Sequence, residues 1–142
     1  MRGFTMLEMM LVVAVSVIIA ALTVPVGVRF LQIQNLDEAA ADAMAALRRA
    51  RSQAVSQRHD SAFGVKFLSG SYVLFQGASY AARVQSEDES FTMYGGAAVS
   101  GLDEVAFAKL TGLPSAVGLL TVSSGGDSRG IVINAQGNIE RQ

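Results

Sequence analysis

The chain has 142 residues, 51% of them hydrophobic and 16% charged, with a formal net charge of −1, no Cys and one His. The length is about one domain's worth, and the charge balance argues against a nucleic-acid binder that works through a basic stripe. Without Cys there is no disulfide framework, thiolate metal site or thiol nucleophile, and one His excludes the common multi-His zinc sites.

The composition is uneven. Between Phe4 and Gly27 the only ionisable residue is Glu8, and 12 of the 14 Gly fall after residue 60. An apolar N-terminal segment is thus joined to a Gly-rich remainder. As a helix, Phe4 to Val24 would be roughly 30 Å long, about one bilayer core. The only basic residue ahead of it is Arg2, and no clear small-x-small cleavage site follows. A retained membrane helix therefore reads better than a signal peptide removed by signal peptidase. Arg2 and the initiator amine favour a cytoplasmic N-terminus. Arg29 weakens that bias, but Asp37, Glu38 and Asp42 soon follow, so residues after about 28 are expected outside the cytoplasm.

Glu8 is the anomaly. A charge at the centre of a spanning helix costs about 2.5–3.5 kcal/mol on insertion scales, less where it can snorkel near an end. Two readings stand on the residues alone. Glu8 is an interfacial carboxylate wetted by headgroups, or it needs a cation from another chain or from a newly exposed amino terminus.

Gly3-Phe4-Thr5-Met6-Leu7-Glu8 followed by a long apolar run resembles the class III signal of type IV pilins and type II secretion pseudopilins. The resemblance implies that prepilin peptidase cuts after Gly3 and methylates the new N-terminal Phe4. It also implies that Glu8, the fifth residue of the mature chain, neutralises a Phe4 amine, that of a neighbouring subunit. A buried carboxylate is tolerable when so paired. The leader, residues 1–3, is short for the family, and Met6, Met9 and Met10 stand where Leu or Ile is commoner.

Pro25 lacks an N–H and clashes with the carbonyl of residue 21, and Gly27 weakens the same turn. The residues alone allow a helix end there. The family resemblance implies a kink inside a longer helix, here expected over 4–58. Leu36, Ala40, Met44, Leu47, Arg51 and Ala54 recur at helical steps, with Arg51 able to lay its aliphatic stem along the stripe. The many Ala call for a closely approaching sheet or helix. Arg48, Arg49, Arg51 and Arg58 read as a solvated or sheet-facing helix end.

After His59 the period changes to two. Phe63–Phe67 and Tyr72–Phe75 read as a hairpin about Ser69-Gly70-Ser71. Further strands are expected at Phe91–Tyr94, Val105–Leu110, Gly118–Ser123, Arg129–Asn134 and Asn138–Glu140. The expected fold is α+β: a long N-terminal helix packed on an antiparallel sheet or small β-sandwich over residues 59–142. Ala50–Val55, Val105-Ala106-Phe107 and Arg129–Ile139 also resemble GspH/FimT-type minor pseudopilins, which implies a pilin-like version of that fold.

No enzyme constellation stands out. His59 beside Asp60 makes no triad, Gly125-Gly126-Asp127-Ser128 lacks a P-loop Lys, and there is no G-x-G-x-x-G. Glu87-Asp88-Glu89 could hold Ca²⁺, but a solvated loop is the plainer reading. No catalytic residue, metal or cofactor is expected. The family resemblance implies a structural subunit of a pseudopilus or pilus-like filament. Its partners would be copies of itself or other pilins, prepilin peptidase, an inner-membrane assembly platform, and lipid before assembly. Two alternatives are a FimT-like pilin that captures DNA, disfavoured by the tail Glu140-Arg141-Gln142, and a single-span protein with an exported β domain.

Overall fold

The computed structural model describes residues 3–142, with the side chains of 23–26 outside the description. One helix, α1 (Met6–Val55), leads into a β domain. Its strands are β1 (Phe63–Leu68), β2 (Ser71–Gln76), β3 (Glu89–Thr92), β4 (Ala98–Gly101), β5 (Glu104–Phe107), β6 (Gly118–Ser124), β7 (Asp127–Ile133) and β8 (Ile139–Arg141). They form two four-stranded antiparallel sheets, ordered β3-β2-β1-β5 and β4-β6-β7-β8. The fold is α+β, with α1 packed against both sheets.

Several expected boundaries need correction. The helix covers 6–55 rather than 4–58. Phe4 and Thr5 precede its first turn, and Gln57, just past its end, is left-handed at φ 55°. Leu110 N–H caps the end by donating to the Ala54 carbonyl at 3.1 Å. The third strand begins two residues earlier than expected, and Tyr94 falls in a 3₁₀ turn. The fifth stops at Phe107, before a loop in which Leu110 takes φ 70°. Strand β4 was not foreseen. Its sequence, Ala-Val-Ser-Gly, has little strand propensity and is held as an edge by pairing with β6. The kink expected at Pro25 lies outside the described residues.

The core follows from alanine. Leu36, Ala39, Ala40, Ala43, Ala46, Leu47, Ala50 and Ala54 are buried along one face of α1. With so little side chain between backbones, the sheets come close. Val65, Phe67 and Leu74 from one sheet and Leu120, Val122, Ile131 and Ile133 from the other join them in a single apolar cluster. The expected stripe is close to this face but rotated toward Met44, which is only partly buried. Arg51 is also half-buried; its stem passes two glycine turns, and Nη2 donates to the Gln136 carbonyl at 2.9 Å.

Charged latches hold the helix to the sheets. Arg48 Nη2 donates to the Ile139 carbonyl at 3.0 Å, and Arg49 pairs with Glu89 at 2.7 Å. Asp37 accepts from Arg129 at 2.8 Å and from Arg141. The Arg129 hydrogen bond, helped by Arg141 and opposed by desolvation, holds the Asp37 carboxyl below its ordinary 3.8. On the far face of the first sheet, Arg83 stacks on Tyr80 at 3.7 Å and donates to Asp88 at 2.7 Å. This strap covers buried Phe75, whose ring meets Tyr80 edge-on.

Two predictions follow from the packing and the latches. Gly137 has φ +75°, and a Cβ there would lie 2.6 Å from the Gly112 carbonyl oxygen. Gly137→Ala should destabilise the detergent-solubilised chain by at least the 1–2 kcal/mol, roughly, of a left-handed non-glycine residue; an unchanged melting temperature would contradict this packing. A carboxyl whose folded pKa is lowered contributes stability above its unfolded value and loses it as pH falls through the folded one. The melting advantage of the native chain over Asp37→Asn should therefore be flat above about pH 5 and shrink on the acid side of 3.8. A difference that stays constant down to strong acid would count against the latch.

Candidate functional site

The first half of α1 carries the candidate site. Every residue from Gly3 to Leu22 is exposed. Its large apolar side chains run from 46% exposed at Val15 to 83% at Met6. Among the described residues, α1 alone is long and apolar enough to cross a membrane, and none of its most apolar window is buried within the protein. Such a segment could span a bilayer. Ser16, one of its few polar residues, donates its Oγ hydrogen to the Val12 carbonyl at 2.8 Å. That bond removes the need for water at the hydroxyl.

The residues of the expected processing signal lie together at the tip. Gly3 and Phe4 are exposed and precede the first helical turn, so the bond between them is open to an enzyme. Thr5 is the N-cap, with extended backbone, and its Oγ1 accepts from Glu8 N–H at 3.2 Å. Thr5-Met6-Leu7-Glu8 thus has the order of a capping box. This role for Thr5 went unread in the sequence, although the T-x-x-E spacing before an apolar run signals it.

The capping bond uses the Glu8 backbone and leaves the carboxylate uncommitted. Among the described residues no ion pair reaches it. The next basic residue along the chain is Arg29, 21 positions on. At 1.5 Å per residue that is about 30 Å up the helix. Gly27 lies nearly as far away and has open space around it. The expected sites therefore divide into a tip (Gly3, Phe4, Glu8) and a distant position at 25–27.

The other candidates do not converge on a site. His59 Nδ1 lies 3.0 Å from Gln76 Oε1, while Asp60 pairs with Lys109. The acidic run is drawn apart: Asp88 goes to Arg83 and Glu89 to Arg49. Asp88 is only 16% exposed in its side chain, so this stretch is not simply the solvated loop expected from its sequence. No group of three or more His, Asp or Glu able to hold a metal occurs among the described residues.

No family model, curated protein or solved structure matches the chain. Thr5→Ala should cost the first turn about 1 kcal/mol, or roughly fivefold faster hydrogen exchange at the Glu8 amide in detergent micelles. Unchanged exchange would mean that the cap does not hold that turn.

Proposed function

We propose that the chain is a pilin-like structural subunit, made as a membrane-anchored precursor and built into a type II secretion pseudopilus or type IV pilus-like filament. In this reading prepilin peptidase removes residues 1–3 and methylates Phe4. The N-terminus faces the cytoplasm and the β domain lies outside it. Assembly moves the apolar half of α1 from lipid into a bundle of like helices. Its driving force is that this surface cannot remain bare in water.

The observation that carries the reading is the bare apolar half-helix with one uncommitted carboxylate a single turn from its start. A carboxylate among apolar helices needs a cation. Cutting before Phe4 creates one, four residues away. On a single helix, the Glu8 N–H is already taken by the Thr5 cap, while its carboxylate has no ion pair among the described residues. A neighbour displaced by about four residues, roughly 6 Å, presents its Phe4 amine at the height of Glu8. The pairing thus sets an axial step and admits only cleaved subunits.

DNA capture is less well supported. Arg129 and Arg141 are both held by Asp37, and Arg48, Arg49 and Arg51 bond to the β domain. Few free guanidiniums remain for phosphates. A gel-shift with the full chain that weakened steeply with salt would revive it.

The test has two parts. Mass spectrometry of the mature chain from a host with prepilin peptidase should show N-methyl-Phe4 as the first residue. Glu8→Ala should still enter the membrane but fail to join filaments. An intact Met1 in such a host, or normal incorporation of Glu8→Ala, would overturn the proposal.

A further inference from the structure

Where α1 reaches the β domain, a cleft of about 570 Å³ opens between the helix and the tip of the β6–β7 hairpin. Val28, Arg29 and Gln32 line one wall, and Gly125, Gly126 and Asp127 the other. The tip is tight because Gly125 and Gly126 both take positive φ, 61° and 92°. A Cβ on Gly125 would touch the Gln32 amide at 3.5 Å, so the turn already lies against the helix. A second glycine turn does the same one helical turn higher, where Gly95 meets Asn35. Together they form the floor of the β domain, facing the apolar half of α1.

The height of the cleft is set by the chain. Arg29 is the first charged residue after Glu8. The interval between them, about 30 Å of helix, equals a bilayer's hydrocarbon thickness. With Glu8 near one headgroup layer, Arg29 stands in the other. Phe30, 60% exposed, sits beside it where an aromatic ring suits the interface.

The cleft carries one cation and one anion. Among the described residues neither Arg29 nor Asp127 makes an ion pair, so both charges are available to a ligand. Gln32 adds an amide to the same cleft. We propose that this cleft binds the headgroup of a zwitterionic phospholipid with a primary ammonium, phosphatidylethanolamine in chemical terms. The Arg29 guanidinium donates to the phosphate oxygens. The ammonium donates its hydrogens to the Asp127 carboxylate and the Gln32 carbonyl. A choline headgroup satisfies Arg29 but has no N–H for Asp127. A glycerol headgroup leaves Asp127 beside an unbalanced anion. The inference rests on the membrane-spanning part of the proposed function, and its site would hold the β domain against the bilayer before assembly.

The experiment uses the full chain in vesicles of equal parts phosphatidylethanolamine, phosphatidylcholine and phosphatidylglycerol. Flotation comes first: a chain that does not float with the vesicles refutes the membrane reading itself. Lipids retained after gentle detergent extraction are then counted by native mass spectrometry. Phosphatidylethanolamine should exceed phosphatidylcholine by roughly fivefold. Asp127→Asn should bring the two to parity, and Arg29→Gln should lose both. A chain that floats yet retains the three lipids equally, or prefers phosphatidylglycerol, overturns the headgroup site alone. If Asp127→Asn proves misfolded, the ranking of lipids on the native chain decides.

Discussion

The organising constraint is that one helix carries two opposite surfaces, an exposed apolar half and a half buried under the sheets. From Met6 to Leu22 its side chains are exposed and, Glu8 apart, mostly apolar; from Leu36 onward the same helix buries an alanine face beneath two sheets. Neither half can do the other's work. The first half is too apolar for water and has only one carboxylate for polarity. The second has too little apolar bulk to stand without the sheets. The break between them falls near Arg29, where charge first returns to the sequence.

The stem half shows how a modest core can hold a long lever. Alanine lets the sheets approach, but each buried alanine contributes little apolar area. Charged latches add to it at two levels of the helix. Asp37 holds β7 and β8 where the stem begins, and Arg49, Arg48 and Arg51, all within one later turn, hold β3, β8 and the turn before β8. Asp37 early in the stem and Arg48, Arg49 and Arg51 late in it each have a tertiary partner. A helix fixed at these two levels is held to the β domain along its stem.

Much of this was legible in residues. The change of period after His59 marked the passage from helix to sheet. The hairpin at Phe63–Gln76 followed from alternation around Gly70, with the register now seen as Phe63 opposite Gln76. What escaped notice depends on partners distant in sequence. Ala98–Gly101 is a strand only because β6 accepts it. Arg83 looks like any loop arginine until Tyr80 and Asp88 close around it. At the tip the local signal is present: Thr5 three residues before Glu8 announces a cap, and the Glu8 amide closes it. Carboxylate and amide act separately there, one free for a partner and the other closing the helix.

The most direct measurement is a distance between copies. Subunits labelled with ¹⁵N at phenylalanine would be co-assembled with subunits labelled with ¹³C at the glutamate side-chain carboxyl, and solid-state NMR would read the dipolar coupling between them. A strong contact between the Phe4 amine nitrogen of one copy and the Glu8 carboxyl carbon of another, within about 4 Å as an ion pair demands, is the expected result. Well-ordered filaments in which that coupling is absent would contradict the central claim.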